Sequence, residues 1–108
     1  MRTINPISFA ITALNKSEKE SLAYLGNNNS AFARELQNDC KLIRKLARQG
    51  YYPCDDKMND QHNTEISFTK YENESEIIIE EFANQESGNC ASAFFKAYQL
   101  AAELADLC

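Results

Sequence analysis

The sequence has 108 residues, 44% of them apolar and 25% charged, which is the composition of one ordinary globular domain. The formal net charge is −5, but residues 1–54 carry eight cations against four carboxylates, and residues 55–108 carry three against twelve. An acidic half repels nucleic acid and membrane surfaces and attracts basic partners. No apolar run is long enough to span a membrane, and the stretch 7–14 is too interrupted for a signal peptide, so we expect a cytoplasmic protein.

The beginning of the chain carries the start signals of two helices. Asn5 followed by Pro6 is typical of a helix start, and apolar residues at helical spacing follow. Ser17, with Glu20 three residues further on, forms a capping box. This box predicts a second helix, which Gly26 is placed to end.

The clearest helix signal lies in the middle of the chain. Ser30 is a favourable N-cap, and the helical pattern runs over about 31–49, with Gly50 directly after it. One apolar stripe is predicted to face the core, and it consists of Phe32, Leu36, Cys40, Ile43 and Ala47.

The second half of the chain predicts a small sheet and a final helix. Pro53 limits the first strand to a sheet edge, and an Ala- and Leu-rich segment predicts a largely buried last helix. The predicted ranges are a short edge strand over 51–54, a polar loop over 55–63, strands over 64–71 and 76–83 joined by a hairpin turn, a loop over 84–89 and a helix over about 90–107. The fold class is therefore α+β, with N-terminal helices and a C-terminal helix packed on a small antiparallel sheet of two to three strands, in a single domain of residues 1–108.

The sequence contains no recognisable catalytic set. It has no glycine-rich phosphate loop, and its one histidine, His62, falls in the predicted polar loop. The cysteines, Cys40, Cys54, Cys90 and Cys108, match no zinc spacing, so we expect free thiols, with Cys40 and Cys90 on buried helix faces. We therefore expect no catalytic residues, no metal, no cofactor and no enzymatic activity.

Two charged clusters are the candidate binding surfaces. A basic helix face, spaced at i, i+3, i+4 and i+7, consists of Lys41, Arg44, Lys45 and Arg48. An acidic hairpin consists of Glu65, Glu72, Glu74, Glu76, Glu80 and Glu81. Alternate strand residues lie about 7 Å apart, comparable to successive phosphates along a nucleic-acid strand, so this row is a candidate nucleic-acid mimic. The alternatives are a solvated helix face and edge protection of the sheet.

Three resemblances to known families appear. The order helix, three strands, helix from Lys45 to Leu104 is similar to the double-stranded-RNA-binding domain, although residues 86–91 lack the lysines with which that family grips phosphate. The segment 44–51 resembles the end of a winged-helix recognition helix leading into the wing, although this wing would be acidic. Residues 46–51 and 91–104 resemble small phage proteins of the ABA-sandwich type, with a Leu-rich helix ending in Gly-Tyr and an Ala- and Leu-rich last helix.

The phage resemblance implies a mobile-element origin, in which small inhibitors of host defence are common. We therefore expect a small acidic binding protein, an anti-CRISPR-like inhibitor that blocks a partner with a basic nucleic-acid-binding surface. The alternative is a winged-helix or double-stranded-RNA-binding-domain-like regulator that binds nucleic acid directly.

Overall fold

The structure, a computed structural model, describes residues 5–26, 30–58, 64–70, 76–82 and 85–107, and for 55–58, 64–65, 76–82, 85 and 107 the backbone alone. The elements are α1 (Pro6–Leu25), α2 (Ala31–Arg48), β1 (Tyr51–Met58), β2 (Thr64–Lys70), β3 (Glu76–Phe82) and α3 (Gln85–Leu107). Over these described residues the fold is α+β, as predicted, with three helices and an antiparallel sheet of three strands in the order β1-β2-β3.

The N-terminal segment forms one helix, α1, and the prediction of two helices was wrong. The Asn5 side chain caps its start by accepting hydrogen bonds from the backbone N–H of Ile7 and Ser8, and Gly26 ends it with φ 71°. Ser17 does not cap a second helix, because its hydroxyl donates to a sulfur of α3 instead. With no Pro or Gly between residues 7 and 25, nothing interrupts the helix.

Helix α2 matches its predicted range closely. The Ser30 hydroxyl accepts a hydrogen bond from the Ala33 N–H, and Gly50, with φ 93°, follows the helix end as expected. Four residues of the predicted stripe are buried, but Phe32 is 63% exposed and does not belong to the core. It lies in the first turn of the helix, next to Ala33, which is fully buried.

The sheet is longer at β1 than predicted. Paired residues extend through Met58, although 55–63 was predicted to be a loop. A bulge between Pro53 and Asp55 leaves Cys54 out of register, and its thiol donates to the Ser67 carbonyl at 3.4 Å. Proline lacks the N–H that a regular ladder needs, which explains why the irregularity falls here. The predicted turn over 72–75 lies outside the described residues.

Helix α3 is the element around which the others assemble. It contacts α1, α2 and all three strands, and it begins at Gln85 rather than near 90, so the predicted loop over 84–89 was wrong. Phe94 stacks on Phe68 of β2 with ring centroids 6.1 Å apart. The helix is less buried than predicted, because Leu100 and Leu104 are each about half exposed.

The core joins the three helices to the inner residues of β2. Its fully buried members include Leu14, Leu36, Ile43, Ile66 and Phe68, together with Cys40, Cys90 and Phe94. The helical layer therefore fixes the relative positions of the side chains discussed next.

Candidate functional site

The predicted acidic hairpin falls on two neighbouring strands and the segment that joins them. Glu65 lies on β2, opposite Lys57 of β1, and Glu76 lies on the edge strand β3, opposite Thr69. Glu80 and Glu81 follow on β3, while Glu72 and Glu74 lie outside the described residues. The three strands together contain six carboxylates against two lysines. The backbone thus gathers four of the six predicted residues on adjacent strands.

The predicted basic helix face lies on α2, and three of its members are exposed there, namely Lys41, Lys45 and Arg48. Helix α2 contains five cations against two carboxylates, the reverse of the balance in the sheet. The two kinds of charge are therefore sorted by element.

Arg44, the fourth member of the basic helix face, is held between α1 and α2. Its guanidinium donates to both carboxylate oxygens of Glu18, at 3.1 and 3.4 Å, and to the side-chain oxygen of Asn15 at 3.0 Å. The Arg44 and Glu18 side chains are 17–18% exposed. Such a bidentate contact fixes the packing of α1 against α2 and leaves less of the guanidinium available to a ligand.

A cleft of about 360 Å³ opens between α1 and α3. It is lined by Ser17, Glu20, Ser21, Tyr24, Glu86 and Asn89. These residues supply two carboxylates and no cation, and Tyr24 is 81% exposed. Carboxylates, an amide and an aromatic ring are the groups with which proteins hold an ammonium or a guanidinium. Sequence reasoning missed this cleft because only the tertiary pairing of α1 with α3 brings its two sides together.

Two buried cysteines lie in the core, and one of them contacts residues that line this cleft. Cys40 of α2 and Cys90 of α3 are fully buried, as predicted, and belong to the same core cluster. The Cys90 sulfur accepts a hydrogen bond from the Ser17 hydroxyl at 3.2 Å, and the Ser21 hydroxyl lies 3.6 Å from it. Local sequence patterns gave no sign of these contacts, because Ser17 and Ser21 are on α1 and Cys90 is on α3.

The surroundings of Cys90 favour its thiolate. The hydrogen bond from Cys40 is the main cause that lowers the pKa of Cys90 to about 6, and the serine hydroxyls act in the same direction. Burial and the negative charge of Glu18 oppose this shift. At Cys40 the same hydrogen bond, together with burial, raises the pKa, because there it holds the proton on the donor.

Other sequence-based expectations concern metals and membranes. Within the described ranges, no three His, Cys, Asp or Glu side chains are placed to hold a metal ion. His62 and Cys108 lie outside the described residues. In the described part of the chain, none of the helices combines the length and apolar character needed to cross a membrane.

Comparison of the chain with protein-family models, curated proteins and solved structures finds no match. The resemblances to phage proteins, to the double-stranded-RNA-binding domain and to winged helices therefore stay predictions. The arrangement of charge and of the cleft is what remains to support a function.

Proposed function

We propose that the protein is a small, acidic, non-enzymatic binding protein of the cytoplasm that engages a basic surface on another protein. The observation that carries the proposal is the sorting of charge by element. The strands hold six carboxylates against two lysines, whereas α2 holds five cations against two carboxylates. A partner with a positive surface is drawn to the sheet and repelled by α2, so the sorting orients the encounter.

The cleft between α1 and α3 supports a basic partner independently of the sheet. Glu20 and Glu86 approach from opposite helices, and Asn89 and Tyr24 add a polar and an aromatic contact. An arginine side chain of the partner matches this lining, because its planar guanidinium can donate to carboxylates and stack on an aromatic ring.

The role we propose is inhibition of a host defence system by a phage or mobile-element protein, in the manner of an anti-CRISPR. The acidic strands would occupy the groove in which the target normally holds nucleic acid. This role rests on the resemblance of residues 46–51 and 91–104 to small phage proteins, and on the charge that the strands carry.

A second candidate is a regulator, similar to a winged helix or a double-stranded-RNA-binding domain, that binds nucleic acid directly. The exposed cations Lys41, Lys45 and Arg48 on one helix favour it. The engagement of Arg44 with Glu18 weighs against it, since one of the two arginines in this face already has a carboxylate partner.

Probes of opposite charge distinguish the two candidates. We expect a labelled arginine-rich peptide to bind the protein at low salt, and a labelled DNA duplex not to bind, as measured by fluorescence anisotropy. A double variant with Glu20→Gln and Glu86→Gln should bind the peptide about tenfold more weakly, if each lost ion pair contributes about 0.7 kcal/mol. A control double variant with Glu35→Gln and Glu103→Gln removes the same charge from exposed helix positions and should have little effect on binding.

The proposal fails if the peptide does not bind, or if the two double variants weaken its binding equally. The second candidate would be established instead if the DNA duplex binds and its affinity falls steeply with salt. This binding should be lost in the double variant with Lys45→Glu and Arg48→Glu.

A further inference from the structure

Two large apolar side chains stay exposed on the C-terminal half of α3. Leu100 is 50% exposed and Leu104 is 41% exposed, and Phe9 of α1, the helix that packs on α3, is 45% exposed as well. The two leucines are four residues apart, so they share one face of the helix. An exposed apolar face bordered by charged residues is a feature of surfaces that bind other proteins.

Two charges of opposite sign border these leucines. Lys96 and Glu103 are both exposed and are seven residues apart, so they lie on the same side of α3, about 10 Å from each other along the helix axis. This separation is too long for the two side chains to pair within one chain, where partners are three or four residues apart. Among the described residues, neither of them forms an ion pair. Both charges are therefore available to a second molecule.

The order of these charges is complementary to itself. We propose that this face of α3 binds a second copy of the same chain, with the two α3 helices antiparallel about a two-fold axis. An axis level with residues 99–100 brings Lys96 of each copy opposite Glu103 of the other, because the two residues lie at equal distances on either side of it. The same ion pair then forms twice. A parallel arrangement would place like charges against each other instead.

The apolar residues of this face match nearly the same axis. Ala93 and Ala97 are partly buried, and with Leu100 and Leu104 they form one stripe at spacings of four, three and four residues. In the antiparallel pair, Leu100 faces Ala97 of the other copy and Leu104 faces Ala93. Each large side chain meets a small one, which allows the two helices to pack closely. The dimer face thus consists of Ala93, Lys96, Ala97, Leu100, Glu103 and Leu104.

The dimer face is separate from the surfaces of the proposed function. The cleft is lined by the first turns of α3, at Glu86 and Asn89, whereas the dimer face begins at Ala93 and extends towards the other end of the helix. Self-association therefore goes beyond the binding of a basic partner, and either property can fail without the other. A single helix face is small for an interface, so we expect a dimer that dissociates on dilution.

Sedimentation equilibrium of the full chain, from about 10 µM to about 1 mM, measures the dimer. Dithiothreitol is present to prevent disulfides between exposed thiols such as Cys54. We expect the mean mass to rise with concentration towards that of two chains. Lys96→Glu brings two carboxylates together at both contacts and should weaken the dimer at least about tenfold. The control Lys45→Glu, at an exposed position of α2, changes the net charge equally and should leave the dimer intact.

A charge exchange tests the antiparallel pairing itself. Glu103→Lys should weaken the dimer as Lys96→Glu does, because it brings two ammonium groups together. An equal mixture of these two single variants restores both ion pairs between unlike chains, so it should dimerise about as strongly as the unaltered protein. The chain that carries both substitutions should do the same. The proposal is overturned if the unaltered protein stays monomeric at every concentration, if the single variants dimerise as well as it does, or if the mixture stays monomeric.

Discussion

At the scale of single residues, the environment of Cys90 has a measurable pH dependence. Its pKa is lowered to about 6, so the thiolate persists at neutral pH and is lost as the pH falls through 6. The charged and titratable groups that influence the pair are Cys40 and Arg44 on α2 and Glu18 on α1. We expect the ultraviolet absorbance of the Cys90 thiolate to rise from pH 5, reach half its maximum near pH 6 and be level by pH 8.

Ultraviolet titration of the variant with Cys54→Ser and Cys108→Ser gives this profile. The thiolate absorbance of an ordinary cysteine would instead keep rising through about pH 8.5, where free cysteine titrates. A profile of that kind would show that the groups around the Cys90 sulfur, the Ser17 and Ser21 hydroxyls among them, do not stabilise its thiolate.

Residue-level predictions from sequence succeeded for local features and failed for contacts between distant segments. The caps at Asn5, Ser30 and Gly50 follow from short-range backbone chemistry, and the structure confirms them. The pairing of Arg44 with Glu18 joins two helices whose packing no local pattern specifies. For this reason Arg44 was assigned to an exposed basic face.

At the scale of elements, the helix and strand types were predicted and several of their limits were not. Residues 17–20 have the sequence of a helix start, but the Ser17 hydroxyl donates a hydrogen bond to Cys90, and α1 continues through Ser17 without interruption. Strand β1 extends over the charged residues 55–57 and Met58 because pairing with β2 satisfies their backbone groups. Tertiary pairing overrides weak local preferences in both cases.

The contact of β2 with α3 gives a prediction about stability. Phe68 is fully buried and stacks on Phe94, whereas Phe32 was predicted to be buried and is 63% exposed. We expect Phe68→Ala to lower the free energy of unfolding by about 3–5 kcal/mol, because it leaves a cavity between sheet and helix. The same substitution at Phe32 should cost much less. Urea denaturation of both variants makes the comparison, and equal losses would place Phe32 in the core.

At the scale of the whole molecule, negative charge is concentrated on the strands and positive charge on α2. This distribution could be predicted from the sequence only in part. The split between the two halves of the chain appears in a simple count of residues. The cleft does not, because Glu20 and Glu86 are 66 positions apart and meet only when α1 packs on α3. A charge count can therefore predict the sign of a partner but not the place where the partner is held.

The central claim is that the carboxylates on the strands bind the basic partner, and that the net charge of the protein alone does not account for the binding. Two triple variants test it directly, since each removes three negative charges. The sheet variant carries Glu76→Gln, Glu80→Gln and Glu81→Gln, and the helix variant carries Glu35→Gln, Glu103→Gln and Asp106→Asn, at exposed positions. The measurement is the Kd of an arginine-rich peptide as a function of salt. We predict that the sheet variant binds about tenfold more weakly, with a flatter salt dependence, and that the helix variant changes less than about twofold. Equal losses in the two variants would contradict the account.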